Sequence, residues 1–147
     1  MQKILTVCVG NICRSPVAAA LLRERLPDHE VSSSGIAAVV GHDVDPIARE
    51  VAEANGVIVG AHAARQFTRE IGEQHDLILV LEGSHKREIE RIAPALSGRV
   101  MRLGRWNGDA DIPDPYRKSS EFHEYVFTLI QEATIAWVSR LSPSKPE

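Results

Sequence analysis

Residues 3–9 are apolar almost without a break, with Ile4, Leu5, Val7 and Val9 leaving no regular polar face. A strand apolar on both sides has to be covered on both sides, a condition met by a parallel sheet held between layers of helix. The rest of the chain reads accordingly. Pro16 stands in the first turn of a helix, where proline is accepted, and Val17, Ala20, Leu21 and Leu22 supply its apolar stripe as far as Pro27. Val31–Ser34 predicts a second strand, closed by Gly35. Asp45 as N-cap with Pro46 behind it opens a helix through Ile47, Val51 and Ala54 that stops at Asn55-Gly56.

Thr68 introduces a short helical segment, and Asp76–Leu81 is the clearest strand of the chain. Ser84 is expected to cap the helix that follows, which runs to Pro94, and Arg99–Leu103 predicts a fourth strand. Residues 104–116 hold Gly104, Gly108, Pro113, Pro115 and three aspartates, a loop longer than a connection needs and therefore a candidate for function. The last helix starts near Ser119, carries Phe122, Val126, Leu129, Ala133 and Trp137 at helical spacing, and ends at Ser142-Pro143. Strand and helix in alternation predict an α/β, three-layer fold: a central four-stranded parallel sheet with helices on both faces, residues 1–147 forming one domain. Ligands of such sheets bind beyond the carboxyl ends of the strands, where the strand order reverses, and the loop after the first strand leaves from that end.

Composition removes several classes of function. A formal net charge of −3 offers no footprint for nucleic acid or an anionic membrane. No apolar run approaches the roughly 18 residues of a membrane span, and the first nine residues lack the pattern of a signal peptide, so a cytoplasmic location is expected. Cys8 and Cys13 are too close together to staple a fold. His29, His42, His75, His85 and His123 show no metal-ligand spacing, so neither metal nor cofactor is expected.

The loop Cys8-Val9-Gly10-Asn11-Ile12-Cys13-Arg14-Ser15-Pro16 holds the chemistry. Gly10 permits backbone angles closed to other residues, so consecutive N–H groups can face inward, and the helix behind them adds its positive end. Such a cup suits a phosphate-like anion. Arg14 brings a planar fork able to take two oxygens at once. The same positive field is expected to ionise Cys8, giving a nucleophile. Ser15 can donate to that sulfur, and Asn11 can pin the turn.

These residues resemble the signature of the low-molecular-weight protein tyrosine phosphatases. The resemblance continues through Ser33-Ser34-Gly35, Ala64-Arg65-Gln66, the Asp76–Leu81 strand and Asp114-Pro115-Tyr116. The run Ile112-Pro113-Asp114-Pro115-Tyr116-Arg117-Lys118-Ser119 is similar to bacterial members paired with tyrosine autokinases of exopolysaccharide or capsule export. It implies a flavodoxin-like fold of the phosphotyrosine phosphatase I type, with Cys8 as nucleophile, Arg14 and the amides of Val9 to Cys13 binding phosphate, Ser15 assisting, and Asp114 as general acid. Asp109 and Asp111, on the same loop, read as solvated or capping carboxylates.

The resemblance also implies Ile12 and Val39 as apolar walls and Ser33 and His62 as braces of the Asn11 turn. Eukaryotic relatives tend to carry aromatics where this chain has Val39 and Arg117. Tyr116 either stacks on a substrate ring or packs against the fold. Cys13 is either a packed bystander or a partner for a reversible disulfide that shields Cys8. The implied partner is a phosphotyrosine protein, a membrane tyrosine autokinase by resemblance. An arsenate reductase of the same fold would need further cysteines for its thiol relay. A silent phosphotyrosine-binding module would have no use for Cys8, Arg14, Ser15 and Asp114 together.

Overall fold

The computed structural model describes residues 2–142. Pro143, expected to help end the last helix, lies outside the described residues. Four strands, β1 (Lys3–Cys8), β2 (Glu30–Gly35), β3 (Leu77–Val80) and β4 (Val100–Arg102), form one parallel sheet in the order β2-β1-β3-β4. The order reverses at β1, with Cys8 opposite Gly35 on one side and Val7 opposite Val80 on the other. The Cys8 loop therefore leaves the sheet at its switch point.

Alternate residues of β1 enter different cores. Ile4 and Cys8 pack with α1 (Arg14–Arg25), α2 (Pro46–Ala54) and α5 (Ser120–Leu141). Leu5 and Val7 pack on the other face with Ile89 of α4 (Gly83–Ile92) and Phe67, which precedes the short α3 (Arg69–Glu73). This double burial is what the unbroken apolar pattern required. α1 is buried along Arg14–Leu22 without a solvent face, unlike the single stripe its periodicity suggested. Ala18, Ala19 and Ala20 are small enough to let it lie close against both the sheet and α5.

Capping is local where expected in three helices. Asp45 accepts the Ile47 and Ala48 N–H groups, Thr68 that of Ile71, and Ser119 that of Phe122. Ser84 does not cap α4. The helix begins one residue earlier, and the Gly83 N–H is taken by Asp111 from the distant loop, 2.9 Å away. Pro94–Arg99, expected as a connection up to Arg99 at the start of the fourth strand, form a 3-10 helix that leads straight into β4. Trp137 of α5 donates to the Leu103 carbonyl (2.8 Å) and so fixes the start of the 104–116 loop. Among the described residues no helix is long and apolar enough to cross a membrane.

Candidate active site

Cys8 ends β1 and Arg14 begins α1, so the five residues between them must turn the chain tightly. The residue that turns it in the left-handed region is Asn11 (φ 60°); Gly10 is not among the residues with positive φ. Asparagine tolerates this conformation better than most side-chain-bearing residues, and here its side chain is locked. Its Nδ2 donates to Ser15 Oγ (2.8 Å) and Ser33 Oγ (2.9 Å), and its Oδ1 accepts the Arg65 N–H (2.9 Å). His62 Nε2 lies 2.6 Å from the Asn11 carbonyl and donates to it. Gly35 closes the assembly from β2, since a Cβ there would meet the Val9 carbonyl at 2.4 Å.

Asn11 also determines how Ser15 behaves. Because Ser15 Oγ accepts from Asn11, its own hydrogen is free to point at Cys8 Sγ, 2.9 Å away. The Thr6 hydroxyl donates to the Ser15 carbonyl (2.8 Å) and ties the first turn of α1 to β1. Replacing Asn11 by alanine removes three hydrogen bonds at a fully buried side chain and leaves alanine at positive φ. We expect Asn11→Ala to lose about 2–4 kcal/mol of stability. Urea unfolding measures this, and an unchanged midpoint would contradict the bracing role.

The Arg14 guanidinium is 2% exposed. Its Nη1 donates to Glu82 Oε2 (2.5 Å) at the end of β3 and to the Ile112 carbonyl (2.7 Å) of the 104–116 loop. The Nε–H has no acceptor among the described residues, and Nη2 lies 3.9 Å from Asp114 Oδ2, beyond hydrogen-bond distance. One edge of the fork is thus occupied and the Nε/Nη2 edge is unpaired. Behind Glu82, 3.6 Å from its carboxylate, sits His85. Burial first and the Arg14 charge second hold this imidazole below its ordinary range.

A cavity of about 190 Å³ opens above the turn, lined by Cys8, Val9, Gly10, Ile12, Cys13 and Arg14, with Ala37, Val39, Asp114 and Tyr116 at its sides. It holds most of the residues singled out in the sequence. Ser15, Ser33 and Asn11 lie beneath it; Asn11 is fully buried and reaches the cavity only through its backbone neighbours. Cys13 is a buried free thiol, raised well above the ordinary thiol range by burial and then by the Asp45 carboxylate. Asp114 uses Oδ1 to accept the Tyr116 N–H (3.0 Å), which turns Oδ2 toward Arg14. Asp109 sits at positive φ with its carbonyl accepting from Arg102, while Asp111 reaches α4.

Two contributors escaped sequence reasoning. Glu82 and Arg65 had no assigned role, although a carboxylate at the carboxyl end of β3 and an arginine inside a family-like triplet were both visible. Arg65 uses its Nε on the Ser33 carbonyl and its Nη2 on Ser32 Oγ, and so holds β2 beside the turn. Asp111, read as a solvated or capping carboxylate, caps α4: its Oδ1 accepts the N–H of Gly83, the first residue of that helix. Among the described residues no cluster of three or more His, Cys, Asp or Glu side chains could hold a metal ion.

A buried thiol and a buried guanidinium at the two ends of one turn, opening on a single cavity at the switch point, define an α/β protein suited to tetrahedral anions. Comparison with known proteins narrows the class. The family described as low molecular weight phosphotyrosine protein phosphatase matches residues 3–146. The chain is 44% identical over 141 residues to the low molecular weight protein-tyrosine-phosphatase Etp of Escherichia coli K12, covering 96% of this chain and 95% of Etp. It is 45% identical to the Vibrio vulnificus Wzb structure in complex with benzylphosphonate, with a TM-score of 0.93 over 95% of this chain and 99% of that one. Wzb of E. coli K30 in complex with sulphate superposes with a TM-score of 0.94 at 43% identity, covering 97% of this chain and 100% of that one. The chain belongs to the low-molecular-weight protein tyrosine phosphatase family and is an enzyme, a protein-tyrosine-phosphatase.

Proposed function

We propose that this chain, one domain over residues 1–147, hydrolyses phosphotyrosine on proteins through a phosphocysteine formed on Cys8. The observation that supports it most directly is the meeting of Cys8 Sγ, the unpaired edge of Arg14 and the Asp114 carboxyl around one cavity. In the first step the sulfur attacks phosphorus in line, while Asp114 Oδ2 gives a proton to the departing phenol oxygen. Arg14 and the turn amides take the equatorial oxygens. In the second step the same carboxylate removes a proton from water, which attacks the phosphocysteine, and the Ser15 hydrogen bond helps sulfur to leave. Ile12, Val39 and Tyr116 hold the substrate ring. Benzylphosphonate in the Vibrio enzyme joins a benzyl ring to a tetrahedral anion, and that combination suits this cavity.

The physiological substrate on this reading is a cytoplasmic tyrosine-rich segment of a membrane autokinase for polysaccharide export, supported by the Ile112–Ser119 run. Wild-type protein is expected to hydrolyse a phosphotyrosine peptide in EDTA and to be inhibited by vanadate; absence of turnover by pure, folded protein would leave a binding module instead. Asp114→Asn is expected to lower kcat/KM on phosphotyrosine by about 10²–10³-fold, and far less on an aryl phosphate whose phenol is acidic enough to leave unprotonated. Equal losses on the two substrates would remove Asp114 as the acid.

A further inference from the structure

We propose that Asp111 is a positioning residue for the general acid, holding the Asp114 loop to the first residue of α4. The proposal rests on the reading of Asp114 as acid. The loop is tied at three successive residues before Asp114, first to its own start and then twice to the body of the protein. Ala110 bridges Gly104, whose missing side chain is required because a Cβ would stand 2.3 Å from the Ala110 carbonyl. Asp111 Oδ1 accepts the Gly83 N–H at 2.9 Å. Ile112 donates to the Leu81 carbonyl (2.9 Å) and accepts from Arg14.

The Asp111 contact is the one made by a side chain, and several features shape it. Gly83 is the first residue of α4, where N–H groups lack helical partners and a carboxylate is favoured. Glu82, in the N-cap position, makes no side-chain cap because its carboxylate is paired with Arg14. The cap has to come from elsewhere, and Asp111 provides it. Arg102 lies flat across Gly83, where a Cβ would come within 2.7 Å of its Nη2. It donates through Nη1 to the Asp109 carbonyl (2.5 Å) and holds its Nε 3.6 Å from Asp111 Oδ1.

Glu82 and Gly83 thus join two halves of the reaction: Glu82 aligns Arg14, and its neighbour anchors the loop that carries the acid. From Asp111 the path to Asp114 is stiff, since Pro113 fixes its own φ and restricts Ile112 before it, while Pro115 restricts the backbone of Asp114 itself. An error at Asp111 therefore becomes a displacement of Oδ2. A shift of about 1 Å in a reacting group costs up to about 10²-fold in rate.

The test measures kcat/KM, which covers steps up to phenol release and excludes hydrolysis of the phosphocysteine, on phosphotyrosine and on 2,4-dinitrophenyl phosphate. Asp111→Ala is expected to lose about tenfold or more on phosphotyrosine and less than about twofold on the dinitrophenyl ester. Asp111→Asn keeps an oxygen for the Gly83 N–H and is expected to recover to within about threefold of wild type. Equal losses on both substrates, no loss with alanine, or no recovery with asparagine would each overturn the proposal. Arg102→Met, which removes the guanidinium from Asp109 and Asp111, is expected to give the same substrate bias and serves if Asp111→Ala does not fold. Asp114→Asn run in parallel separates the two readings. A biased Asp114→Asn with unbiased Asp111 and Arg102 variants sinks only the positioning role; an unbiased Asp114→Asn sinks the acid, and the positioning role with it.

Discussion

Cys8→Ser is expected to abolish turnover while leaving the anion cup intact. Cys8 is 3% exposed and its sulfur already faces a hydroxyl, Ser15 Oγ at 2.9 Å, so a serine side chain there meets a hydrogen-bond partner and the fold should survive. The chemistry should not. An alcohol is far harder to ionise than a thiol, and a phosphoserine would be a poor substrate for the second step because an alkoxide leaves with difficulty. The loss in kcat/KM on an aryl phosphate should be on the order of 10⁴-fold or more. Phosphate affinity, measured by calorimetry, should stay within about tenfold, because Arg14 and the turn amides are untouched. Residual turnover above about one per cent would exclude Cys8 as nucleophile. On the proposed substrate, the same variant, immobilised, should retain a phosphorylated polysaccharide-export autokinase and release it on addition of vanadate.

Arg14→Lys is the second large effect. On the proposed mechanism the guanidinium does two things at once: Nη1 ties Glu82 and Ile112 together, and the Nε/Nη2 edge takes phosphate oxygens. A single ammonium cannot span both. If it sits against Glu82 the phosphate loses its fork; if it turns toward the cavity, a partly buried carboxylate and a buried carbonyl lose their donor. We expect kcat/KM on phosphotyrosine to fall about 10²–10³-fold, with weaker phosphate binding and a lower melting temperature. Activity within tenfold of wild type would mean that charge alone suffices and the fork does not matter. Unlike Asp114→Asn, this variant should lose similarly on phosphotyrosine and on esters of acidic phenols, since the phosphoryl group is common to both.

Much of the cavity lining could be read directly because its motifs are local. Cys8 and Arg14 are six residues apart on one strand-loop-helix turn, and Asp114 stands between two prolines. Other features were misread where a local rule competed with a distant partner. Ser84 has the right chemistry for an N-cap, yet the Gly83 N–H is taken by a carboxylate 28 residues away. Gly10 looked like the residue needed for an unusual backbone angle, but the turn uses Asn11, whose three side-chain hydrogen bonds reach Ser15, Ser33 and Arg65. Such bonds outweigh the modest cost of a left-handed asparagine.

The sequence by itself determined the layered parallel sheet and the anion turn, because hydrophobic period, proline placement and residue type act over a few neighbours. Only the tertiary structure decided how that turn is held. Glu82 meets Arg14 across 68 residues, Ile112 across 98, and Asp111 meets Gly83 because the parallel strands β3 and β4 end at the same edge of the sheet. Pairings of that kind depend on strand order and on which buried donor would otherwise lack an acceptor, and neither is written in any short stretch of the chain.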